Sequence, residues 1–115
     1  MRESTVERVL QKSIKQQGGW CLKFVSPGTA GVPDRICLLP GRVLAFVELK
    51  APGKHVRDGS LQEFWGRELQ RLGFRWYEVS TTEEARRLAA DLGSASREIT
   101  GAKPTKPGKE VSRNG

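Results

Sequence analysis

Histidine and cysteine are scarce in this 115-residue chain, which has one histidine, His55, and two cysteines, Cys21 and Cys37. Three such side chains fall short of the four ligands of a structural zinc site. The cysteines stand sixteen positions apart, so the Cys-x-x-Cys redox motif is absent. A Ser-His-Asp hydrolase would have to rely on His55, which sits among loop-forming residues. No apolar run approaches the ~20 residues of a membrane span, and the N-terminus lacks the apolar segment of a secretory signal. The expectation is a cytoplasmic protein without a membrane partner, its thiols reduced and buried.

Acidic residues are also in the minority. Thirteen Asp and Glu face twenty Lys and Arg, a formal charge of +7 and a pI of about 9.9. Such a surface favours a polyanionic partner, nucleic acid first and an anionic membrane surface second. A length of 115 residues suits one ordinary domain.

Apolar residues thin out after Leu92. The segment 93–115 holds four of them (Ala95, Ile99, Ala102, Val111), five basic residues and two prolines. This composition predicts a folded domain over 1–92 and a flexible basic tail over 93–115.

Within 1–92 the periodicity alternates between helix and strand. Val6, Val9, Leu10 and Ile14 recur at helical spacing within 4–17, and Ser4 with Glu7 fits a capping box. Strands are predicted over 20–25, 34–39, 43–50 and 74–79, with helices over 60–72 and 81–92. The order is α-β-β-β-α-β-α. A hairpin meander followed by a helical crossover predicts an α/β fold with a mixed four-stranded sheet flanked by helices.

A tight turn at Pro40-Gly41-Arg42 pairs residues whose numbers sum to about 82, so Asp34 faces Glu48. Opposed residues share a sheet face, and Lys50, two residues beyond Glu48, shares it as well. Two carboxylates and an ammonium thus interrupt otherwise apolar runs. Opposed like charges destabilise a sheet, increasingly so on burial. A divalent cation compensates them. Two carboxylates, the Leu49 carbonyl and waters make a hard oxygen site suited to Mg²⁺ or Mn²⁺. Such an ion lowers the pKa of a bound water and stabilises charge on a phosphoryl oxygen, with Lys50 beside it to orient the nucleophile. The alternative is a structural ion-pair cluster of Asp34, Glu48 and Lys50.

These residues resemble a known family. Gly31-Val32-Pro33-Asp34 followed by Glu48-Leu49-Lys50 looks like the PD-(D/E)XK motif of restriction-endonuclease-like nucleases. The wider segments GTAGVPDRI (28–36), FVELKAPGK (46–54) and LGFRWYEV (72–79), with Gln62 near the start of the second helix, are similar to a VRR-NUC domain of the stand-alone phage or prophage type. The resemblance covers about Ser4 to Leu92. It implies Asp34, Glu48 and the Leu49 carbonyl as metal ligands, Glu7 as the acid closing the metal site, and Lys50 and Gln62 as catalytic. It also implies a homodimer that cuts branched DNA such as four-way junctions or flaps. Without the resemblance, Glu7 reads as a helix cap and Gln62 as an ordinary helix residue. Arg35, Lys54 and Arg57 are candidate DNA-backbone contacts. The expected function is a Mg²⁺- or Mn²⁺-dependent DNA endonuclease. The alternative is a non-catalytic nucleic-acid-binding module.

Overall fold

The computed structural model describes residues 2–103 and 105–109. The elements run α1 (Glu3–Gln16), β1 (Trp20–Lys23), β2 (Arg35–Leu39), β3 (Val43–Leu49), α2 (Leu61–Arg71), β4 (Arg75–Val79) and α3 (Thr82–Thr100). The sheet order is β1-β2-β3-β4. The first three strands form an antiparallel meander, and β4 returns parallel to β3 after α2. This is the predicted α/β fold with its mixed sheet and element order.

The hairpin register is also the predicted one, with Leu39 opposite Val43 and Arg35 opposite Val47. Gly41 and Arg42 both take the left-handed conformation, at φ 81° and 62°, which turns the chain tightly. Alternation then divides the sheet. Cys37, Leu39, Val43, Ala45, Val47 and Leu49 are buried beside Val6, Leu10 and Ile14 of α1 and Ala85, Leu88, Ala89 and Leu92 of α3. Each of the larger of these side chains contributes about 1.5–3 kcal/mol on burial. Phe46 lies on the opposite face, where its ring meets those of Phe24 and Phe74 at 5.8 Å each. There α2 closes on β4 through Gly66, at which a Cβ would come within 2.7 Å of the Trp76 indole.

Two expectations need correction. The first helix has Arg2, not Ser4, at its N-cap, and no side chain caps it. The Ser4–Glu7 capping box does not form, because helical geometry already begins at Glu3. The third helix does not stop at Leu92. It continues to Thr100, where Gly101 ends it in the left-handed conformation. Its last two turns are fixed by tertiary contacts. Gly93 and Ser96 are buried, the Ser96 hydroxyl donates to the Pro40 carbonyl at 2.7 Å, and Ile99 packs where a Cβ on Gly41 would sit. The folded unit therefore extends beyond the expected boundary at 92. Of the expected tail, Pro104 and 110–115 lie outside the described residues.

Capping elsewhere follows the sequence. Ser60 caps α2 by accepting from the Glu63 amide, while the Glu63 carboxylate accepts from Gly59 at 3.1 Å. Thr81 and Glu84 form a complete capping box on α3. Among the described residues no helix is long and apolar enough to cross a membrane.

Candidate active site

The end of the β2–β3 hairpin distal to its turn gathers the predicted acids. Asp34 immediately precedes β2, and its Oδ2 accepts a 2.8 Å hydrogen bond from the Leu49 amide. That bond ties the loop carboxylate to β3 and leaves Oδ1 out of it. The loop is positioned from the other side by α2. The Trp65 indole donates to the Ala30 carbonyl at 3.1 Å. Gly31 takes φ +89° with Leu61 packed where a Cβ would project. The glycine-rich stretch before Asp34 thus acts as a close-fitting spacer between α2 and β2.

Glu48 is 4 % exposed, one of the few buried polar side chains of the described residues. Its carboxyl is pushed from 4.5 up to about 7, first by burial and then by the negative charge of Asp34; the Lys50 ammonium pulls in the opposite direction. Lys50 Nζ stands 3.5 Å from Glu48 Oε2, and the Lys50 amide donates to the Val79 carbonyl at 2.9 Å. The lysine is therefore anchored to β4 by its backbone and to Glu48 by its side chain.

Glu7 is placed differently from expectation. It pairs with Arg35, whose Nε donates to Glu7 Oε2 at 2.8 Å, and Arg35 also donates to the Cys21 carbonyl. The physical reason is strand parity. Arg35 lies opposite Val47, on the face that α1 covers, whereas Glu48 belongs to the other parity. Arg35 is thereby removed from the candidate DNA contacts, since its side chain is only 11 % exposed. The α1 acid whose charge bears on Glu48 is Glu3, which adds to the rise of its pKa. Among the described residues no three acid, histidine or cysteine side chains are grouped to hold a metal.

The remaining donors still fit a hard cation. Asp34 and Glu48 are like charges felt by each other in a buried setting. A divalent ion would offset both the burial and the repulsion that raise the Glu48 pKa. The Leu49 carbonyl would add a neutral oxygen, with water filling a six-coordinate shell.

A cavity of about 270 Å³ opens beside Lys50, lined by His55, Arg57, Ser60 and Gln62. The predicted Gln62 and Arg57 therefore adjoin the predicted lysine. Lys54 is exposed in the same loop but does not line the cavity.

The chain is 44 % identical over 63 residues to a protein named "Putative nuclease p44" of Acyrthosiphon pisum secondary endosymbiont phage 1, a match spanning 55 % of this chain and 68 % of that protein. A solved structure described as "VRR_NUC domain" superposes with a TM-score of 0.66 at 24 % identity, over 76 % of this chain and 94 % of the other. The chain belongs to one family with that phage protein and has the VRR-NUC fold. No family model matches it.

One residue of the site is not evident from the sequence. Glu78 lies opposite Glu48 in the parallel β3–β4 register. Its Oε1 accepts from the Val56 amide at 2.5 Å and stands 3.6 Å from His55 Nδ1. Glu78 thus fastens the loop that bears Lys54, His55 and Arg57. Its signal is the placement of an acid within the apolar Trp76–Val79 run, which acquires meaning only once β4 is known to pair with β3.

Proposed function

We propose that this protein is a metal-dependent endonuclease that hydrolyses phosphodiester bonds in DNA, with branched DNA as its preferred substrate. The observation that carries the reading is the buried Glu48 beside Asp34 and Lys50, an arrangement that costs stability unless a cation is bound. Asp34, Glu48 and the Leu49 carbonyl would hold Mg²⁺ or Mn²⁺, which when bound supplies an acidified water and a counter-charge for the phosphoryl oxygens. Lys50 donates hydrogen bonds to the attacking water and to a non-bridging phosphate oxygen. The water oxygen gives up a proton to bulk water and bonds to phosphorus as the bond to the leaving oxygen breaks, and the leaving oxygen takes up a proton from bulk water. Gln62 and Arg57, in the adjoining cavity, bind the phosphate flanking the scissile one. A binding module gains nothing from buried acids facing a polyanion, which sets the non-catalytic alternative second.

The name of the phage relative supports a nuclease. Branched-DNA preference and a homodimer rest on the family resemblance. A second copy fits the need of so small a domain for a wider substrate surface.

The test incubates the protein with linear, flapped and four-way-junction DNA in Mg²⁺, Mn²⁺ or EDTA. Cleavage should require the cation. Asp34→Asn, Glu48→Gln and Lys50→Ala should each lower the rate at least about 100-fold, the scale for loss of a group that stabilises developing charge. Parent-like cleavage by any of the three overturns the assignment.

A further inference from the structure

The opposite end of the sheet carries a second charged surface that this chemistry does not use. On α1, Lys12 and Lys15 lie on the exposed side of the helix. The described segment 105–109 runs beside them and adds Lys106 and Lys109. Together with Trp20 they line a cavity of about 570 Å³. All four ionisable groups lining it are lysines, and none of them makes an ion pair among the described residues. Lys15 Nζ stands 5.1 Å from the centre of the Trp20 ring, a cation–π approach that holds the ammonium over the cleft.

Four like charges around one cleft repel each other. A fold tolerates that on a solvated surface, and a polyanion turns the repulsion into attraction. The spacing also favours a long polyanion over a single small anion. Lysines from two separate chain segments line the cleft, and an aromatic ring borders it. Trp20 pairs with Leu38, four residues along β2 from Asp34. At about 3.3 Å per residue that is about 13 Å measured along the strand.

We propose that this cleft is a second nucleic-acid contact, which grips the phosphate backbone away from the Asp34–Glu48 centre without reading sequence. The proposal rests on the nuclease reading for its choice of partner. It goes beyond that reading by assigning a binding surface to α1, Trp20 and the 105–109 segment.

The experiment compares the full chain with the quadruple variant K12Q/K15Q/K106Q/K109Q. All four side chains are exposed, so folding should survive, and a thermal melt checks it. Binding to a 30-base-pair duplex is measured in EDTA across a salt series. A control variant, R42Q/R71Q/R75Q/R87Q, removes the same charge at exposed positions that do not line the cleft. The expected result is at least a tenfold loss of affinity at about 0.1 M salt and a shallower log K against log salt slope. The slope should change by at most about 0.9 for each phosphate that is no longer neutralised. The control should move the slope much less. An unchanged slope, or an equal change in the control, overturns the proposal. So does tighter binding to vesicles containing phosphatidylglycerol than to the duplex at the same salt. The two readings separate cleanly. Parent-like cleavage by Glu48→Gln would sink the metal-site assignment and leave the slope result standing. Equal slopes would sink the second contact and leave cleavage standing.

Discussion

Replacing Glu48 by glutamine should stabilise the metal-free protein above neutral pH and do little below pH 5. In the unfolded chain this carboxyl ionises near 4.5, whereas in the fold it holds its proton up to about 7. Between those values the folded state binds more protons, so stability must fall as pH rises through the window. At about 1.4 kcal/mol per pH unit, the displacement is worth about 3 kcal/mol. That value already includes the partial compensation by Lys50, 3.5 Å away. Glutamine keeps the shape and loses the charge, so the variant should lack this component of the pH dependence. The assay is thermal or urea unfolding in EDTA from pH 4.5 to 8.5. The difference between variant and parent should grow from near zero at the acid end to about 3 kcal/mol above pH 7. For a domain of this size that corresponds to about 10 °C or more in midpoint. Saturating Mg²⁺ or Mn²⁺ should then raise the parent by about 2.7 kcal/mol at 100 times the dissociation constant, and the variant by much less. A variant-minus-parent difference that is the same at pH 5 and pH 8 would refute the account of a buried, repelled carboxylate.

Other perturbations follow from the packing. Gly66→Ala drives a methyl to within 2.7 Å of the Trp76 ring and should cost about 1–3 kcal/mol. Gly93→Ala drives a methyl into the Gln17 side chain, whose Oε1 accepts from Arg97, and should likewise cost about 1–3 kcal/mol; parent-like urea melts for either variant would contradict this packing. A chain ended after Gly101 should melt close to the full-length protein. One ended after Leu92 loses the buried Gly93 and Ser96 and should unfold several degrees lower, and equal midpoints would return the domain boundary to 92. Glu78→Ala frees the Val56 amide and should speed tryptic cleavage after Lys54 and Arg57, whereas an unchanged digestion rate would show that the loop is held by other contacts.

The hairpin was legible because its signals agree. The apolar run Val43–Leu49, interrupted by Glu48, and a turn centred on Gly41 define one register, which places Asp34 beside the Leu49 amide. The α2 and α3 starts, expected at 60 and 81, fall within one residue of the observed ones, where Ser60 and Thr81 each accept from the amide three residues on as the capping rule requires. The same rule misled at Ser4, where the tertiary partner of Glu7 is Arg35, twenty-eight residues away. The end of α3 was hidden for a related reason. Its final turns are poor in apolar residues, and what holds them is a hydroxyl on Pro40 and a glycine that admits Gln17. Neither partner can be named before the fold is known. Glu78 was hidden because parallel pairing carries no local turn to fix its register.

The seam between α1 and α3 has a consequence for the order of events during synthesis. These two helices share one of the two most extensive contacts between elements of the described chain, and they lie near its two ends. The meander can pair as soon as Leu49 has emerged, with Asp34, Glu48 and Lys50 on it or immediately beside it. Val6, Leu10 and Ile14 nevertheless remain without their final partners until Ala85, Leu88 and Leu92 arrive. A nascent chain therefore holds its acids on an open, half-covered sheet while α2, β4 and α3 are still being made. The ordered centre should form as α3 closes on α1.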